Sequence, residues 1–411
     1  MTDESLSLPL TEVVVPENQD EMARQMKHCF EQSQAVYPLG GETSLHYGLP
    51  ATVPGLGLST KSLNQIVDFP ERDLTITVEA GIPMKTLSGT LAAAGLMLPL
   101  DVPQAASASL GAVIATNTNG PRRFGLGTVR DYVIGVRAIN GKGQIFNGGG
   151  RVVKNVAGYD FCKLLTGSMG TLGIITQVTL KVKPIAEKTT TILATVPAAA
   201  EVESAIEHML VSGSTPVALE WLVGTLWEDL LGIKSSGSGF FAVKLAGTNE
   251  ELAWSESQVL RELEEAGLCS GHIIDQPQQD QLWAAVHEFP AKEVELMLQI
   301  KTVSSGVISV VQTCREIDEF CTIQATAGDG VVTVAFDKIP DTGVSGALIA
   351  QLAPIAARFH GHVETFRNRS GSELTSGSVW GRLSAPQFLQ ERIKEQFDPR
   401  GLLNPGRFVF Q

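Results

Sequence analysis

The sequence contains little that could hold a metal cluster. Its five cysteines are scattered along 411 residues, and no two of them have the C-x-x-C spacing typical of iron–sulfur and structural zinc sites. The odd number of cysteines, and an N-terminus without a basic and apolar leader, favour reduced thiols in a cytoplasmic protein. Any redox chemistry of this chain therefore needs a bound organic cofactor, and no metal site is expected.

Basic residues are also scarce, and no long hydrophobic run is present. The chain has 31 Lys and Arg against 44 Asp and Glu, and a net charge of −13 opposes binding to nucleic acids and anionic membranes. The apolar runs 91–100 and 347–357 are too short to span a bilayer. With 43% hydrophobic residues, the sequence predicts an ordered globular protein that is long enough for two domains.

Glycine, by contrast, is frequent and clustered. In Gly167-Ser168-Met169-Gly170-Thr171-Leu172-Gly173-Ile174-Ile175-Thr176, three glycines at spacing three run into an apolar β-branched stretch. Glycine accepts positive φ and lets amide N–H groups approach a bound group closely, while the isoleucines favour a buried strand. The segment predicts either a tight turn before a core strand or a loop that presses against a ligand.

A second glycine pair lies far upstream, in Pro38-Leu39-Gly40-Gly41-Glu42-Thr43-Ser44. Backbone N–H groups and hydroxyls in such a strand-to-turn segment can hold a diphosphate. Neither segment has the GxGxxG or GxxxxGK(S/T) spacing of common nucleotide sites. Together they favour a ligand site, but not a Rossmann or P-loop site.

Hydrophobic periodicity outlines alternating helices and strands. The predicted helices are 21–31, one that begins at Pro83, 260–266 and 281–287; the predicted strands are 35–38, 74–78, 129–139, 240–244 and 331–336. The Asn140-Gly141 pair predicts a hairpin. Glycine becomes rarer after Pro184, where we place a domain boundary. The apolar turn at Leu402 and Leu403 predicts that the C-terminal segment docks on the protein.

Six segments in this order resemble the FAD-binding fold of the vanillyl-alcohol oxidase (PCMH) type. They are 38–44, 78–81, 106–111, 117–123, 167–176 and 397–407, and they run through almost the whole chain. The resemblance implies an α+β architecture with a two-lobed FAD-binding domain over residues 1–184. It also implies a smaller α+β cap domain for the substrate over 185–384, and a C-terminal segment over 385–411 that returns to the FAD-binding domain.

Within this family, residues 149–160 are most similar to the FAD-binding E subunits of bacterial glycolate oxidases. Related glycolate and D-lactate dehydrogenases carry similar segments. The resemblance implies non-covalent FAD, because Thr43 and Ser44 occupy the stretch in which some members carry the histidine that attaches the cofactor. The residues that it assigns to FAD are Gly40, Gly41, Thr43, Ser44, Ser107, Ser109, Gly111, Lys154, Gly170, Thr171, Gly173, Ile175 and Asn404.

One segment departs from the family pattern. Catalytic relatives carry the cap-domain motif H-x-G-D-G-N-x-H, whose histidines help to bind a metal and the hydroxy-acid substrate. The corresponding stretch here is Thr326-Ala327-Gly328-Asp329-Gly330-Val331-Val332-Thr333, in which threonine replaces both histidines. Threonine hydroxyls are poor metal ligands and poor bases near neutral pH, so a metal-assisted site of that kind is not expected here.

The catalytic residues are not identified by the sequence, but His360, His362 and Arg369 are candidates. The two imidazoles share one face if 360–362 is a strand, either as half of a metal site, as proton-transfer groups, or as structural residues. Arg369 is placed either to clamp a substrate carboxylate or to lie in solvent at a charged strand end. Lys154 and Tyr159 fall in the family-like segment and are candidates to approach the flavin.

The leading hypothesis is an FAD-binding subunit of a glycolate oxidase complex, which oxidises glycolate to glyoxylate. Its expected partners are a catalytic flavin subunit and an iron–sulfur subunit, in the cytoplasm or peripheral to the inner membrane through those partners. One alternative is a free-standing FAD-dependent D-2-hydroxy acid (D-lactate) dehydrogenase, and another is a structural subunit that no longer needs FAD. The missing histidines favour a supporting or electron-transferring role.

Overall fold

The computed structural model describes residues 8–150, 159–235, 238–339, 343–345, 350–381 and 387–408. The chain divides into two compact units. The first unit contains residues 1–119, 127–185 and 383–411, and the second contains residues 120–126 and 186–382. The short segment 120–126, which the sequence analysis placed in the first domain, therefore groups with the second unit.

Along the chain, all strands of the first unit precede those of the second unit. Those of the first unit are β1 (Leu10–Val14), β2 (Ala35–Leu39), β3 (Gly55–Ser59), β4 (Ile66–Asp68), β5 (Thr75–Glu79), β6 (Leu96–Met97), β7 (Val133–Ile139), β8 (Ile145–Gly149), β9 (Ile174–Lys181) and β10 (Lys183–Pro184). Those of the second unit are β11 (Lys188–Thr195), β12 (Ala218–Val223), β13 (Phe240–Gly247), β14 (His272–Ile273), β15 (Leu296–Lys301), β16 (Thr322–Thr326), β17 (Val331–Phe336) and β18 (His362–Asn368).

The helices lie between these strands. They are α1 (Gln19–Gln32), α2 (Met84–Ala93), α3 (Leu110–Thr116), α4 (Arg123–Leu126), α5 (Val129–Tyr132), α6 (Phe161–Leu165), α7 (Ala199–Val211), α8 (Thr225–Leu231), α9 (Asn249–Glu265), α10 (Gln276–Glu288), α11 (Val307–Ile317), α12 (Ala350–Arg358), α13 (Ser376–Trp380) and α14 (Gln387–Phe397). None of the helices in the described ranges is long and apolar enough to cross a membrane.

A three-stranded parallel sheet in the order β1-β3-β2 begins the first unit. Helix α1 packs against it because Met22, Met26 and Cys29 recur at helical spacing and are buried. Asn18 caps this helix by accepting a hydrogen bond from the Glu21 N–H. Strand β2 is almost wholly apolar and lies in the core. It therefore fixes the position of the glycine pair that follows its C-terminal end.

The first unit also contains a five-stranded antiparallel sheet in the order β4-β5-β9-β7-β8 and a two-stranded antiparallel sheet of β6 and β10. The expected hairpin at Asn140-Gly141 is confirmed, since it joins β7 to β8. The expectation of one strand over 129–139 was wrong at its start, because residues 129–132 form helix α5. There the Asp131 carboxylate accepts hydrogen bonds from the Thr128 N–H and hydroxyl, and this helix cap outweighs the strand preference of the β-branched residues.

The C-terminal helix α14 and the turn after it belong to the first unit. Ile393 and Phe397 pack against its core, and Leu402 and Leu403 are buried, which confirms that this segment docks. The sequence places Leu389 at helical spacing from Ile393 and Phe397, but Leu389 is exposed.

The second unit is an eight-stranded antiparallel sheet in the order β14-β11-β13-β12-β16-β17-β15-β18. One face is apolar and packs against helices α7, α9, α11 and α12. The other face is apolar under α8 and α10, where Trp227 and Trp283 are buried, but towards β18 it carries polar side chains. The second unit therefore has one closed core and one face that is only partly apolar.

Candidate functional site

A cleft with about 810 Å³ of empty space lies in the first unit. Four stretches that are distant in sequence line it: the loop after β2, helix α3, the segment that leads into β9, and the turn after α14. Both glycine-rich segments singled out in the sequence thus line one cavity. The cleft is the main candidate site of this unit.

The Gly40-Gly41 loop touches the segment that precedes α3. A Cβ atom at Gly41 would lie 1.8 Å from the Ser107 carbonyl oxygen, and one at Gly40 would lie 2.3 Å from the Ser109 Oγ atom. The Gly41 N–H donates to Ser109 Oγ over 3.2 Å. Both glycines are therefore required by close packing of protein on protein, which leaves the rest of the loop on the cleft.

The second glycine-rich segment is tied to the C-terminal end of α3. The Gly167 N–H donates to the Ile114 carbonyl over 3.0 Å, and the Met169 N–H donates to the Ala115 carbonyl over 2.8 Å. Gly170 has a φ of +67°, and a Cβ there would lie 3.0 Å from the Asn404 amide nitrogen. This positive φ explains why the turn needs glycine.

Asn404 joins two walls of the cleft. Its Nδ2 atom donates to the Met169 carbonyl over 2.7 Å, and its backbone N–H donates to the Val36 carbonyl in β2 over 2.9 Å. The residue has a φ of +46°, a conformation that asparagine tolerates better than most residues. The C-terminal turn is therefore part of the cleft.

A buried ion pair holds that turn. The Lys394 Nζ atom donates to Asp398 Oδ2 over 2.7 Å, to the Thr171 carbonyl over 2.8 Å and to the Leu403 carbonyl over 3.1 Å. Asp398 also accepts from the Leu402 and Leu403 N–H groups. Burial lowers the pKa of Lys394, and the charge and hydrogen bond of Asp398 oppose that shift. The pair fastens α14 to the segment before β9.

Arg407 places a buried positive charge on the cleft. Its guanidinium donates to the carbonyls of Leu45, Tyr47 and Leu49, and it lines the cavity while only 8% exposed. Burial lowers its pKa to about 10, so it stays charged at neutral pH. None of the described carboxylates forms a salt bridge with it. The cleft therefore has a fixed cation that favours an anionic ligand.

The structure brings most of the predicted cofactor residues to this cleft. Those that line it are Gly40, Thr43, Ser44, Gly111, Gly170, Gly173, Ile175 and Asn404. Gly41, Ser109 and Thr171 lie in the same loops, and Ser107 is exposed. Lys154 lies outside the described residues. Arg407 was not among the predicted cofactor residues, although its place in the apolar C-terminal turn was a signal that it could be buried.

These residues fit FAD. A diphosphate needs N–H donors, hydroxyls and positive charge, which the 40–44 loop and Arg407 supply. A large planar ring needs an apolar wall of low relief, which Ala112, Ala115 and Ile175 offer with the glycines beside them.

In the second unit, the Gly-Asp-Gly turn joins β16 to β17. Asp329 lies 3.6 Å from the Arg123 Nε atom of α4, and burial raises the Asp329 pKa, opposed by the Arg123 charge. A Cβ at Gly328 would lie 2.4 Å from the Phe124 ring. The turn is thus a packing surface for α4.

The donor set of this region does not fit the metal site of catalytic relatives. Thr326 and Thr333 lie on adjacent strands but are not register partners, and their hydroxyls are poor ligands. The described residues contain no group of three His, Cys, Asp or Glu that could hold a metal ion.

The three candidate catalytic residues are not together. His360 and His362 would share a face only if 360–362 were a strand, and that condition is not met, because β18 begins at His362 and His360 has a φ of +57° in the preceding turn. Arg369 is half exposed, with its Nη1 atom 4.0 Å from a Glu295 carboxylate oxygen. Tyr159 is 85% exposed. The His362 Nε2 atom lies 2.8 Å from Glu364 Oε1.

Comparison with known proteins gives relatives along nearly the whole chain. A family model described as an FAD binding domain matches residues 11–149. The D-lactate dehydrogenase of Archaeoglobus fulgidus is 30% identical, over 97% of this chain and 91% of the relative. The glycolate oxidase subunit GlcE of Escherichia coli is 29% identical over 90% and 91%. The glycolate oxidase subunit GlcD of Bacillus subtilis is 26% identical over 96% and 88%.

Solved structures with a similar fold include p-cresol methylhydroxylase with substrate bound, at a TM-score of 0.74 and 15% identity over 97% of this chain and 88% of that one. An alkyldihydroxyacetonephosphate synthase structure gives a TM-score of 0.72 and 15% identity, over 96% and 77%. At such identities the likeness concerns the fold alone. It confirms the α+β fold of the vanillyl-alcohol oxidase (PCMH) type.

Proposed function

Because the chain belongs to the family of FAD-linked oxidoreductases that contains this D-lactate dehydrogenase, we propose that it is the FAD-binding subunit of a glycolate-oxidising complex. FAD is its cofactor, and we propose that it is bound without a covalent link. The substrate is glycolate or a similar small 2-hydroxy acid, and the product is the 2-oxo acid. Bound FAD supplies the oxidant by accepting the α-hydrogen as a hydride.

The observation that carries this proposal is the cleft of the first unit. Gly40, Gly170 and Asn404 bring three distant stretches to one cavity, and Arg407 gives it a buried positive charge. The loop N–H groups and hydroxyls would hold the diphosphate, and Ala112, Ala115 and Ile175 would provide the apolar wall for the ring. This chain's residues thereby bind and orient the cofactor.

We infer that electrons then leave through a partner, because no two of the five cysteines have the C-x-x-C spacing of a cluster-binding site. Burial raises the pKa of Cys162 to about 11 and that of Cys321 to about 12, so both thiols are protonated and unreactive at neutral pH. We propose a catalytic flavin subunit and an iron–sulfur subunit as partners. The complex is cytoplasmic, or peripheral to the inner membrane through those partners.

A free-standing 2-hydroxy acid dehydrogenase is the second candidate, favoured by similarity to the archaeal D-lactate dehydrogenase over 97% of this chain. A structural subunit without FAD is the third. The charged, glycine-lined cleft argues against this last candidate, because its loop N–H groups, hydroxyls and buried positive charge fit the diphosphate of FAD.

The test is purification of the chain, alone and with proteins that co-purify from its host, followed by anaerobic titration with glycolate and D-lactate. The proposal expects the chain to show a flavin spectrum and to release its flavin into solution on denaturation. It also expects partners with flavin and iron–sulfur spectra, and bleaching of the flavin of the complex by glycolate. Bleaching of the isolated chain by D-lactate would favour the free-standing dehydrogenase. Failure to bind added FAD would favour the structural subunit.

A further inference from the structure

The carboxylate of Glu42 lies on the cleft of the first unit. Among the described residues that line this cleft, those with a charged side chain are Glu42 and Arg407. One carries a negative charge and the other a positive charge, so their charges offset each other. FAD carries negative charge on its diphosphate, and a cation at the site strengthens the binding of such a group. The lining by itself therefore lacks the net positive charge that favours the cofactor.

Lys61 supplies a further positive charge beside this carboxylate. The Lys61 Nζ atom donates to Glu42 Oε1 over 2.8 Å. The parallel pairing of β2 with β3 places Leu39 opposite Ser59 at the carboxyl ends of both strands. The Leu39 carbonyl then accepts hydrogen bonds from the N–H and the hydroxyl of Thr60. The loops that follow the two strands are thereby held side by side, and the Lys61 ammonium group meets the carboxylate.

The backbone of Glu42 indicates a role for its side chain. Glu42 has a φ of +62°, in the left-handed region that glycine adopts at lower cost. A non-glycine residue in this conformation on a ligand cleft points to a function of the side chain. Folding stability is not that function, because the Glu42 and Lys61 side chains are 42% and 62% exposed, and exposed ion pairs contribute little to folding. The pair is therefore better explained by what the cleft binds.

We propose that Lys61 neutralises Glu42 and thereby gives the FAD cleft its net positive charge. Lys61 is thus a positioning residue, which acts on the cofactor through Glu42. The inference rests on FAD as the cofactor of the proposed function, but not on the substrate or the partners. With Lys61 in place, the charge of Arg407 is left to act on the diphosphate. Without Lys61, the Glu42 carboxylate repels the diphosphate from the loop whose N–H groups would hold it.

The test is a double-mutant cycle on the full chain after removal of its flavin. Lys61→Met removes the ammonium group, Glu42→Gln removes the carboxylate charge at the same side-chain length, and the double variant removes both. Lys142→Met is the matched control, because Lys142 is an exposed lysine in the turn between β7 and β8. Fluorescence titration with FAD at several salt concentrations gives the Kd, and thermal unfolding gives the melting temperature of each variant.

Lys61→Met is expected to raise the Kd of FAD about tenfold at low salt and to flatten its dependence on salt, because the cleft loses its net charge. Glu42→Gln is expected to bind FAD at least as tightly as the wild type. The double variant is expected to return to within about threefold of the wild-type Kd and to regain the salt dependence, since the charge of Arg407 is no longer offset. Melting temperatures should barely change.

Two results would overturn the inference and leave FAD binding by the chain intact. One is a Kd of Lys61→Met within about threefold of that of Lys142→Met. The other is a double variant that binds FAD as weakly as Lys61→Met, because the loss would then not depend on the Glu42 charge. A wild-type chain that binds no added FAD would overturn the proposed function together with the inference.

Discussion

The Asn404 side chain donates its amide N–H to the Met169 carbonyl over 2.7 Å, across 235 residues of chain. Met169 has a φ of +53° and is followed by Gly170 at +67°, so its carbonyl is presented by a turn of unusual conformation. One hydrogen bond thereby connects the C-terminal turn to the glycine-rich segment. Cofactor binding should be sensitive to it.

Asn404→Gly is expected to weaken FAD binding about tenfold, with a stability loss of about 1 kcal/mol, because one hydrogen bond is removed while the positive φ is preserved. Fluorescence titration of the apoprotein with FAD measures the first quantity, and denaturant unfolding measures the second. Thr215→Gly is the control, because Thr215 has a φ of +47° and belongs to the second unit. Equal FAD affinities of the two variants would contradict the role of Asn404.

Gly41→Ala should disrupt the first glycine loop. Its Cβ would lie 1.8 Å from a backbone carbonyl oxygen, so the loop must shift, and we expect about 1–3 kcal/mol of destabilisation with loss of bound FAD. Gly89→Ala is the matched change, because nothing lies within 4 Å of that position in α2. It should stabilise the protein by up to about 1 kcal/mol. Thermal unfolding and the flavin-to-protein ratio compare the two, and an unaffected Gly41→Ala protein would refute the packing argument.

Arg407→Gln should raise the Kd of FAD by about tenfold to 100-fold, because a charge-assisted hydrogen bond to an anion is lost. It should also make FAD binding less sensitive to salt. The control is Arg400→Gln, which removes an arginine of the same segment that stacks on the Phe30 ring at 4.2 Å. If the salt dependence of Arg407→Gln matched that of the wild type, Arg407 would have only a structural role.

Lys394→Met should cost about 3–5 kcal/mol of unfolding free energy, since it leaves the fully buried Asp398 carboxylate without its cation. The double variant Lys394→Met with Asp398→Asn should recover most of that loss, because no buried charge remains unpaired. Denaturant unfolding of the wild type, both single variants and the double variant gives the coupling energy. Additive effects would show that the two side chains act independently.

The pH dependence of stability should show the raised pKa of Asp329. A carboxyl group with a higher pKa in the folded state binds its proton more tightly there, so its contribution to stability is largest at low pH and is lost as pH rises through the folded-state value. Wild type should therefore gain stability relative to Asp329→Asn as pH falls from neutrality. Urea unfolding at several pH values measures this difference, and a difference that is constant or of opposite sign would contradict the shift.

Short-range patterns were enough to predict that two glycine-rich segments lie at one ligand site, and both line the cleft. The Gly40-Gly41 segment follows an apolar strand, and the Gly167–Gly173 segment precedes one. Strand formation and the close backbone approach that glycine allows both depend on residues that are neighbours in the sequence. The family resemblance supplied the order of the segments, which no local pattern contains.

Long-range packing explains what the sequence did not predict. Phe124 contacts Gly328 across about half of the chain, so 120–126 groups with the second unit although its own composition resembles its neighbours. The position of Arg407 depends on carbonyls of the 45–49 loop, and Glu364, which lies 2.8 Å from His362, also accepts a hydrogen bond from Lys301 of another strand. Such contacts leave no spacing signal in the sequence.

The cleft unites Pro38 and Arg407, and the second unit, residues 186–382, is encoded between its walls. During synthesis the first glycine loop emerges early, but it remains without its polar closing residues until the whole second unit has left the ribosome. Cofactor capture is therefore a late event in the life of the nascent chain. A chain that stops within residues 186–382 would therefore lack Asn404 and Arg407, and its cleft would stay incomplete.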